Sequence, residues 1–166
     1  MTPKESENFS NINDLKKEYA LLQKKYSLPQ FTTLNQQFDI EEISTQTEFL
    51  ARKIRRTITE KLNGYLRFIE LLLNPSTAPL FFFNLVKKLD AADREALTKI
   101  YALLGEFEAS TIVLDLAYDE KQEADFIIKA ANLFTKEIKP QLLAIAKKLT
   151  NGHTNTSKES TNSYFG

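Results

Sequence analysis

The chain has 166 residues, of which 42% are hydrophobic and 27% are charged, so it is long enough to bury a core as one domain. Its 22 basic and 22 acidic side chains cancel, and this balance gives no global attraction to a polyanion. It has no cysteine, and its only histidine, His153, lies in a polar C-terminal segment. The expected folded region therefore lacks the thiolate nucleophile, the sulfur metal ligands and the usual proton shuttle near pH 7.

Signals for export or membrane insertion are also lacking. Residues 1–10 are polar and contain no apolar segment of a signal peptide. The apolar run at residues 80–83 and the slightly longer ones at 100–104 and 142–146 are all far shorter than the roughly 20 residues that span a bilayer. We therefore expect a cytoplasmic protein with no membrane contact. Four glycines and five prolines are few for a fold with many tight turns, which favours long helices.

In chain order, residues 1–10 are expected to form a flexible N-terminus. A first helix is predicted next from an apolar stripe, and it should end near Ser27 because Pro29 follows. Residues 28–38 carry scattered apolar side chains without a long period, which predicts a packed connector. The stripe of the first helix has alternating spacings of three and four: Ile12, Leu15, Tyr19, Leu22 and Tyr26.

The longest predicted helix covers about residues 40–74 and ends before Pro75. Asp39, followed three residues later by Glu42, resembles a capping box at its start. The helix would be roughly 50 Å long at 1.5 Å per residue. Its inward stripe consists of Ile43, Thr47, Leu50, Ile54, Ile58, Leu62, Tyr65, Ile69 and Leu72.

Three more helical segments follow the break at residues 74–79. Residues 80–89 predict a short helix, and Asp90 caps the next helix. Asp119 with Gln122 marks another start, and Pro140 predicts a kink or two abutting helices. The inward stripes of the last two segments are Leu97, Ile100, Leu104, Phe107, Thr111, Leu114 and Tyr118, and then Ala124, Ile127, Ala131, Phe134, Ile138, Leu142, Ile145 and Leu149.

Together these elements predict an all-α fold. It is an antiparallel bundle of about five helices built around the 40–74 helix, because short gaps join long helices. Residues 11–149 form a single domain in this prediction, and residues 150–166 form a disordered polar tail. Tyr164 and Phe165 break the polar pattern of that tail.

The first candidate site is the basic cluster of Arg52, Lys53, Arg55 and Arg56. Arginine forks suit phosphates, so the cluster is a candidate for phosphate or nucleic-acid binding. The alternative is a helix surface held by ion pairs, with Glu48–Arg52 and Glu60–Arg56 at i,i+4 spacing. We favour the ion-paired alternative, since no aromatic residue is interleaved to stack on bases.

The second candidate is the series of acids Asp115, Asp119 and Glu123, which could hold Mg²⁺ or Mn²⁺ on a continuous helix. The predicted break near Asp119 spoils that alignment, and no histidine is at hand. Asp115 stands inside an apolar run, so we expect it to face outward or to pair with Arg55, Arg56 or Arg67. We therefore predict a structural ion pair and no metal or other cofactor.

The third candidate is the run Phe81, Phe82 and Phe83. Adjacent helical residues point about 100° apart, so three in a row cannot all face one seam. The run is either buried on most sides or exposes an aromatic patch, which would mark a protein–protein contact. Sequence motifs for a serine nucleophile, a phosphate-binding loop or a dinucleotide fold are lacking, so we expect no enzyme.

The arrangement of a short first helix, a connector and a long helix with an acidic start resembles a group of small archaeal all-helical proteins of unknown function. The residues that carry the resemblance lie at positions 28–34 (LPQFTTL), 38–42 (FDIEE) and 49–56 (FLARKIRR). The likeness covers about residues 12–149, and it implies an all-helical fold without an activity.

From these patterns we predict a non-enzymatic interaction or adaptor protein with a protein partner, and a homodimer is a further expectation. The alternative is a nucleic-acid or ribosome-associated protein that uses the cluster of Arg52, Lys53, Arg55 and Arg56. The two differ in where the arginines point. They are structural if they contact acids inside the bundle and functional if they form an exposed stripe.

Overall fold

The computed structural model describes residues 3–43 and 49–151, with side chains from Ile12 onward except that of Thr77. Its described residues contain helices and no strand, so the all-α prediction is confirmed. The helices are α1 (Pro3–Tyr26), α2 (Phe31–Phe38), α3 (Leu50–Leu73), α4 (Phe81–Val86), α5 (Ala91–Leu116), α6 (Glu120–Leu133) and α7 (Lys139–Thr150). Short 3₁₀ turns cover Ile40–Glu42 and Pro75–Thr77, and a π-helical turn covers Phe134–Ile138.

Helix α1 ends where the sequence predicted. Ser27 takes a left-handed conformation, with φ 57°, directly after the helix. The Tyr19 hydroxyl donates to the carbonyl of Pro29 at 2.5 Å and holds the chain as it leaves. The helical backbone begins at Pro3, nine residues before the first residue of the predicted apolar stripe, Ile12.

The predicted packed connector at residues 28–38 contains a short helix that the sequence analysis did not predict. Helix α2 has only eight residues, and it buries Leu34, Gln37 and Phe38 on one side. Two turns supply too few apolar positions for a period to stand out in the sequence. Packing of this face against the core stabilises a helix that would be marginal alone.

The predicted 40–74 helix is wrong at its beginning. Asp39 has φ 55° and lies in the left-handed region, where its N–H donates to the carbonyl of Asn35 and ends α2. The chain then makes a 3₁₀ turn and is extended at Ile43. Helix α3 begins only at Leu50, and the predicted stripe residue Thr47 lies outside the described residues.

Helix α3 is the centre of the bundle, and it contacts α1, α2, α4, α5 and α6. Helix α5 is antiparallel to α3, since Arg52 near the start of α3 donates to the carbonyl of Leu114 near the end of α5. Helix α6 runs parallel to α3, because Glu123 meets the start of α3 and Phe134 stacks on Tyr65 further along. The inward side of α3 buries Leu50, Ala51, Ile54, Arg55, Ile58, Leu62, Leu66, Ile69 and Leu72.

The predicted signals at the starts of α5 and α6 are confirmed. Asp90 and Asp93 form a reciprocal capping box, each carboxylate accepting from the other residue's backbone N–H at 2.9 Å. Asp119 accepts from the N–H of Gln122 at 2.8 Å. Pro140 lies in the first turn of α7, just after the π-helical turn that joins α6 to α7. Pro140 has no N–H to donate, and the π-helical turn before it changes the hydrogen-bond pattern so that the helix and its apolar stripe continue past the proline.

Within the described ranges, no helix is both long and apolar enough to cross a bilayer. His153 and the aromatic pair at positions 164 and 165 lie outside these ranges.

Candidate functional site

Two residues of the basic cluster, Arg52 and Arg55, face the interior, so the four residues do not form one exposed stripe. Arg55 is 1% exposed and donates through Nε to Glu123 Oε2 at 2.8 Å. Its Nη2 atom donates to Asp115 Oδ1 at 2.6 Å. Glu123 is completely buried, so this pair is an ion pair inside the junction of α3, α5 and α6.

Arg52 completes the same junction. Its Nε donates to Glu123 Oε1 at 3.2 Å, and its Nη2 donates to the carbonyl of Leu114 at 2.9 Å. Its guanidinium lies over the ring of Tyr118, with Cζ 4.6 Å from the centroid. The Tyr118 ring in turn meets Phe49 edge-on at 4.7 Å. Arg52 thus satisfies a carbonyl at the end of α5 and one oxygen of a buried carboxylate.

Asp115 is shared by Arg55 and Arg56, two of the three arginines that the sequence suggested as partners. Arg56 Nη2 lies 3.1 Å from the same Oδ1 atom that Arg55 contacts. The hydrogen bond from Arg55 lowers the pKa of Asp115, so the carboxylate stays ionised. Burial acts to lower the pKa of Arg55, but hydrogen bonds to Glu123 and Asp115 outweigh it and raise that pKa. Arg55, Arg56 and Asp115 therefore belong, with Glu123, to one hydrogen-bonded network.

Of the four predicted phosphate-binding residues, only two present their cations outward. Lys53 is exposed, and the side chain of Arg56 is 50% exposed although it is paired with Asp115. Arg56 therefore pairs across to α5 rather than with Glu60, and Glu48 lies outside the described residues. The geometry matches the structural alternative for Arg52 and Arg55.

The series of acids is divided as the sequence predicted. Helix α5 ends at Leu116, and Asp119 caps α6 after an extended turn, so the three carboxylates do not line up. Asp115 and Glu123 converge on Arg55, while Asp119 binds a backbone N–H. Within residues 3–43 and 49–151, no group of three or more histidine or carboxylate side chains is arranged to hold a metal ion.

Sequence reasoning missed the burial of Glu123. The sequence contained a signal for this burial, since Glu123 directly precedes Ala124 and lies four residues before Ile127, both on the inward stripe of α6. An acid beside an inward stripe needs a basic partner inside the bundle.

The phenylalanine run divides between core and surface. Phe82 is 6% exposed and packs against Phe68 of α3, with ring centroids 6.0 Å apart. Phe81 is 60% exposed and Phe83 is 42% exposed, and Leu80 beside them is 83% exposed. Phe81 and Phe83 flank the buried Phe82 on opposite sides of α4, and Leu80 lies between them on the outward side. We call this outward side of α4 the aromatic patch, and Phe68 lies beside it against Phe82. Its helix is held by the one phenylalanine that is buried.

A second apolar surface lies at the C-terminal end of α5 and was not singled out from the sequence. Ile112 and Val113 are each 60% exposed, and Leu116 is 84% exposed. They lie at helical spacing on the side of α5 opposite its buried stripe. A groove of about 390 Å³ between α5 and α6 is lined in part by Val113, Phe107 and Phe126. The apolar run from Thr111 to Leu116 was the available signal.

Comparisons with protein-family models, with curated proteins and with solved structures gave no match. The resemblance to archaeal helical proteins stays a prediction.

Proposed function

We propose that this chain is a non-enzymatic interaction protein of the cytoplasm, which binds a protein partner through the aromatic patch. The observation that carries the proposal is the division of the phenylalanine run. Phe82 anchors α4 in the core, and Phe81 and Phe83 are thereby presented to solvent on a fixed helix.

Large aromatic side chains at a surface favour docking because they lose little conformational entropy when they are covered. Full burial of one phenylalanine contributes about 1.5–3 kcal/mol, and aromatic residues are frequent at the energetic centres of interfaces. Leu80, whose side chain is 83% exposed, extends the same surface. The partner that fits is a protein with an apolar groove that accepts two or three such side chains.

The charged groups support a non-enzymatic role. The buried acid Glu123 is neutralised by Arg55 and Arg52, and a fully paired group is poorly placed to transfer protons. The resulting network fixes the relative position of α3, α5 and α6. It therefore supports a rigid framework that carries surfaces rather than a reactive pocket.

The test is affinity purification from the native source with the unaltered chain and with Phe81→Gln/Phe83→Gln. Glutamine keeps the helix propensity of α4 and removes the apolar surface. We expect the double variant to lose specific partners. The matched control is Leu21→Gln, which alters a side chain that is 72% exposed on α1 and should retain them.

Two results would contradict the proposal. One is a chain that captures no reproducible partner, and the other is the same set of partners with both variants. Sedimentation velocity of the purified chain measures the expected homodimer separately. A monomer that binds its partner through the aromatic patch leaves the proposal intact and removes only the homodimer.

A further inference from the structure

The last described turn of α7 is fixed beside the chain that leaves α4. Lys88 Nζ donates to the carbonyl of Leu149 at 2.5 Å, and Lys148 Nζ lies 2.5 Å from carboxylate oxygens of both Asp90 and Asp93. Residues 152–166 therefore begin near the junction of α4 and α5. Phe83 precedes Lys88 by five residues, which corresponds to roughly 8 Å along a helix axis.

The chain from Asn151 to Tyr164 is long enough to reach from the end of α7 to α4. Tyr164 follows Asn151 by thirteen residues, and an unstructured polypeptide of that length has an r.m.s. end-to-end distance of about 20 Å. The aromatic patch is within this range. The apolar surface at Leu116 lies beyond this range. Leu116 is the last residue of α5, which has 26 residues, and it is therefore about 39 Å from the start of α5 near Asp90.

The composition of residues 152–166 leaves one pair of side chains suited to an aromatic surface. Tyr164 and Phe165 are its only large apolar residues, in a segment otherwise rich in Thr, Asn and Ser. Lys158 and Glu159 are its only ionised side chains at pH 7, and they cancel, so no charge opposes its approach. Aromatic pairs gain from edge-to-face and offset contacts in addition to burial.

We infer that Tyr164 and Phe165 dock on the aromatic patch of their own chain and cover Phe81 and Phe83. A tether of suitable length supplies its end at an effective concentration on the order of millimolar, so even a weak contact is populated. The docked pair competes with an external partner for the same side chains. That competition depends on the proposed function, whereas the docking depends only on the patch and the segment.

The sequence contains no tryptophan, so Phe165→Trp in the full chain provides a unique fluorescent reporter. We expect its emission to be blue-shifted from that of the urea-unfolded chain and protected from acrylamide. Adding Phe81→Gln/Phe83→Gln should shift the emission to the red and remove the protection. Adding Leu21→Gln should leave both unchanged, because Leu21 is exposed on a different helix.

Two results would overturn the inference. Emission that is identical in the parent and Phe81→Gln/Phe83→Gln backgrounds shows that the patch does not hold residue 165. A blue shift that disappears on dilution shows that a second copy supplies the pair. Circular dichroism and urea unfolding of each variant confirm that the bundle is intact. Loss of docking with retained partner capture rejects this inference alone, whereas loss of capture by the unaltered chain rejects the proposed function.

Discussion

At the scale of single residues, the most demanding feature is the side chain of Glu123, which is fully buried and held by two arginines. Its two oxygens are each met by a guanidinium, from Arg55 on one side and from Arg52 on the other. Removing two charges from water costs several kcal/mol per ion, so such a pair is tolerated only with good hydrogen bonding. Its role is to fix position rather than to add much net stability.

Removal of one partner should therefore be far more costly than removal of both. We expect Arg55→Ala to lower the free energy of unfolding by about 3–5 kcal/mol, because Glu123 is left buried with an incomplete partner set. The double variant Arg55→Met/Glu123→Leu should cost much less than the sum of the single changes. Urea unfolding followed by circular dichroism measures each value.

The exposed Lys53 on the same helix provides the control. Lys53→Ala should change the free energy of unfolding by no more than about 0.5 kcal/mol. A cost for Arg55→Ala as small as that of Lys53→Ala would show that the Arg55–Glu123 ion pair does not hold the helix junction together in solution.

At the scale of elements, the sequence predicted the helix starts that a side chain caps, at α5 and α6. It did not predict the chain's course at Asp39, which is set by the backbone conformation of that residue. Asp90 and Asp119 accept backbone hydrogen bonds at the starts of α5 and α6, as their spacing from Asp93 and Gln122 indicated. Asp39 has the same sequence signature. It instead adopts a left-handed conformation that ends α2, and aspartate is among the few residues that tolerate it.

The candidate site was also predictable only in part, because some of its residues are marked by the local sequence and others depend on how the helices pack. Asp115 was recognised because it interrupts an apolar run, and its pairing with Arg55 and Arg56 followed from charge alone. Glu123 was not, since burial at a three-helix junction depends on how α6 packs against α3. Exposure of Phe81 and Phe83 likewise depends on which side of a six-residue helix meets the core.

The cap of α5 should make folding sensitive to acid. Hydrogen bonds from Lys148 and from the backbone of Asp93 lower the pKa of Asp90 from 3.8 to about 2. Between these values the unfolded chain binds more protons than the folded chain, so stability rises with pH there. The contribution of Asp90 is therefore present above about pH 4 and is lost as the pH falls towards 2.

We expect Asp90→Asn to flatten the pH dependence of the urea midpoint between pH 4 and pH 2. Asparagine caps a helix as well as aspartate, so the helix start is kept while the charge is removed. Lys148→Met should flatten the same interval, and the double variant should add little. An unchanged slope in Asp90→Asn would mean that the carboxylate has its ordinary pKa in the folded chain.

At the scale of the whole molecule, charge and apolar surface are distributed in opposite ways. Positive and negative side chains are equal in number, and the densest basic cluster is turned towards acids at a helix junction. The exposed apolar side chains gather instead at the aromatic patch and at the end of α5. A surface of this kind is suited to protein partners, since a formal net charge of zero gives no global attraction to a polyanion.

This distribution gives the nucleic-acid alternative a definite test. Nucleic-acid binding through phosphate contacts weakens with salt, with a slope of about −0.9 per phosphate neutralised in log–log form. Arg52 and Arg55 are committed to Glu123, which leaves only Lys53 and Arg56 of the cluster at the surface. We therefore expect a filter-binding assay at low salt to detect no RNA or DNA binding that depends on them.

The comparison variant is Lys53→Gln/Arg56→Gln, which removes both outward cations and leaves the buried pair in place. Weak retention of nucleic acid on the filter that is equal for the unaltered chain and the variant is nonspecific adsorption, and it agrees with the expected result. A steep salt dependence in the unaltered chain that is reduced in the variant would reverse the conclusion. Two phosphate contacts would account for a slope change of about 1.8, so a larger change would require other basic residues to converge on the same nucleic acid.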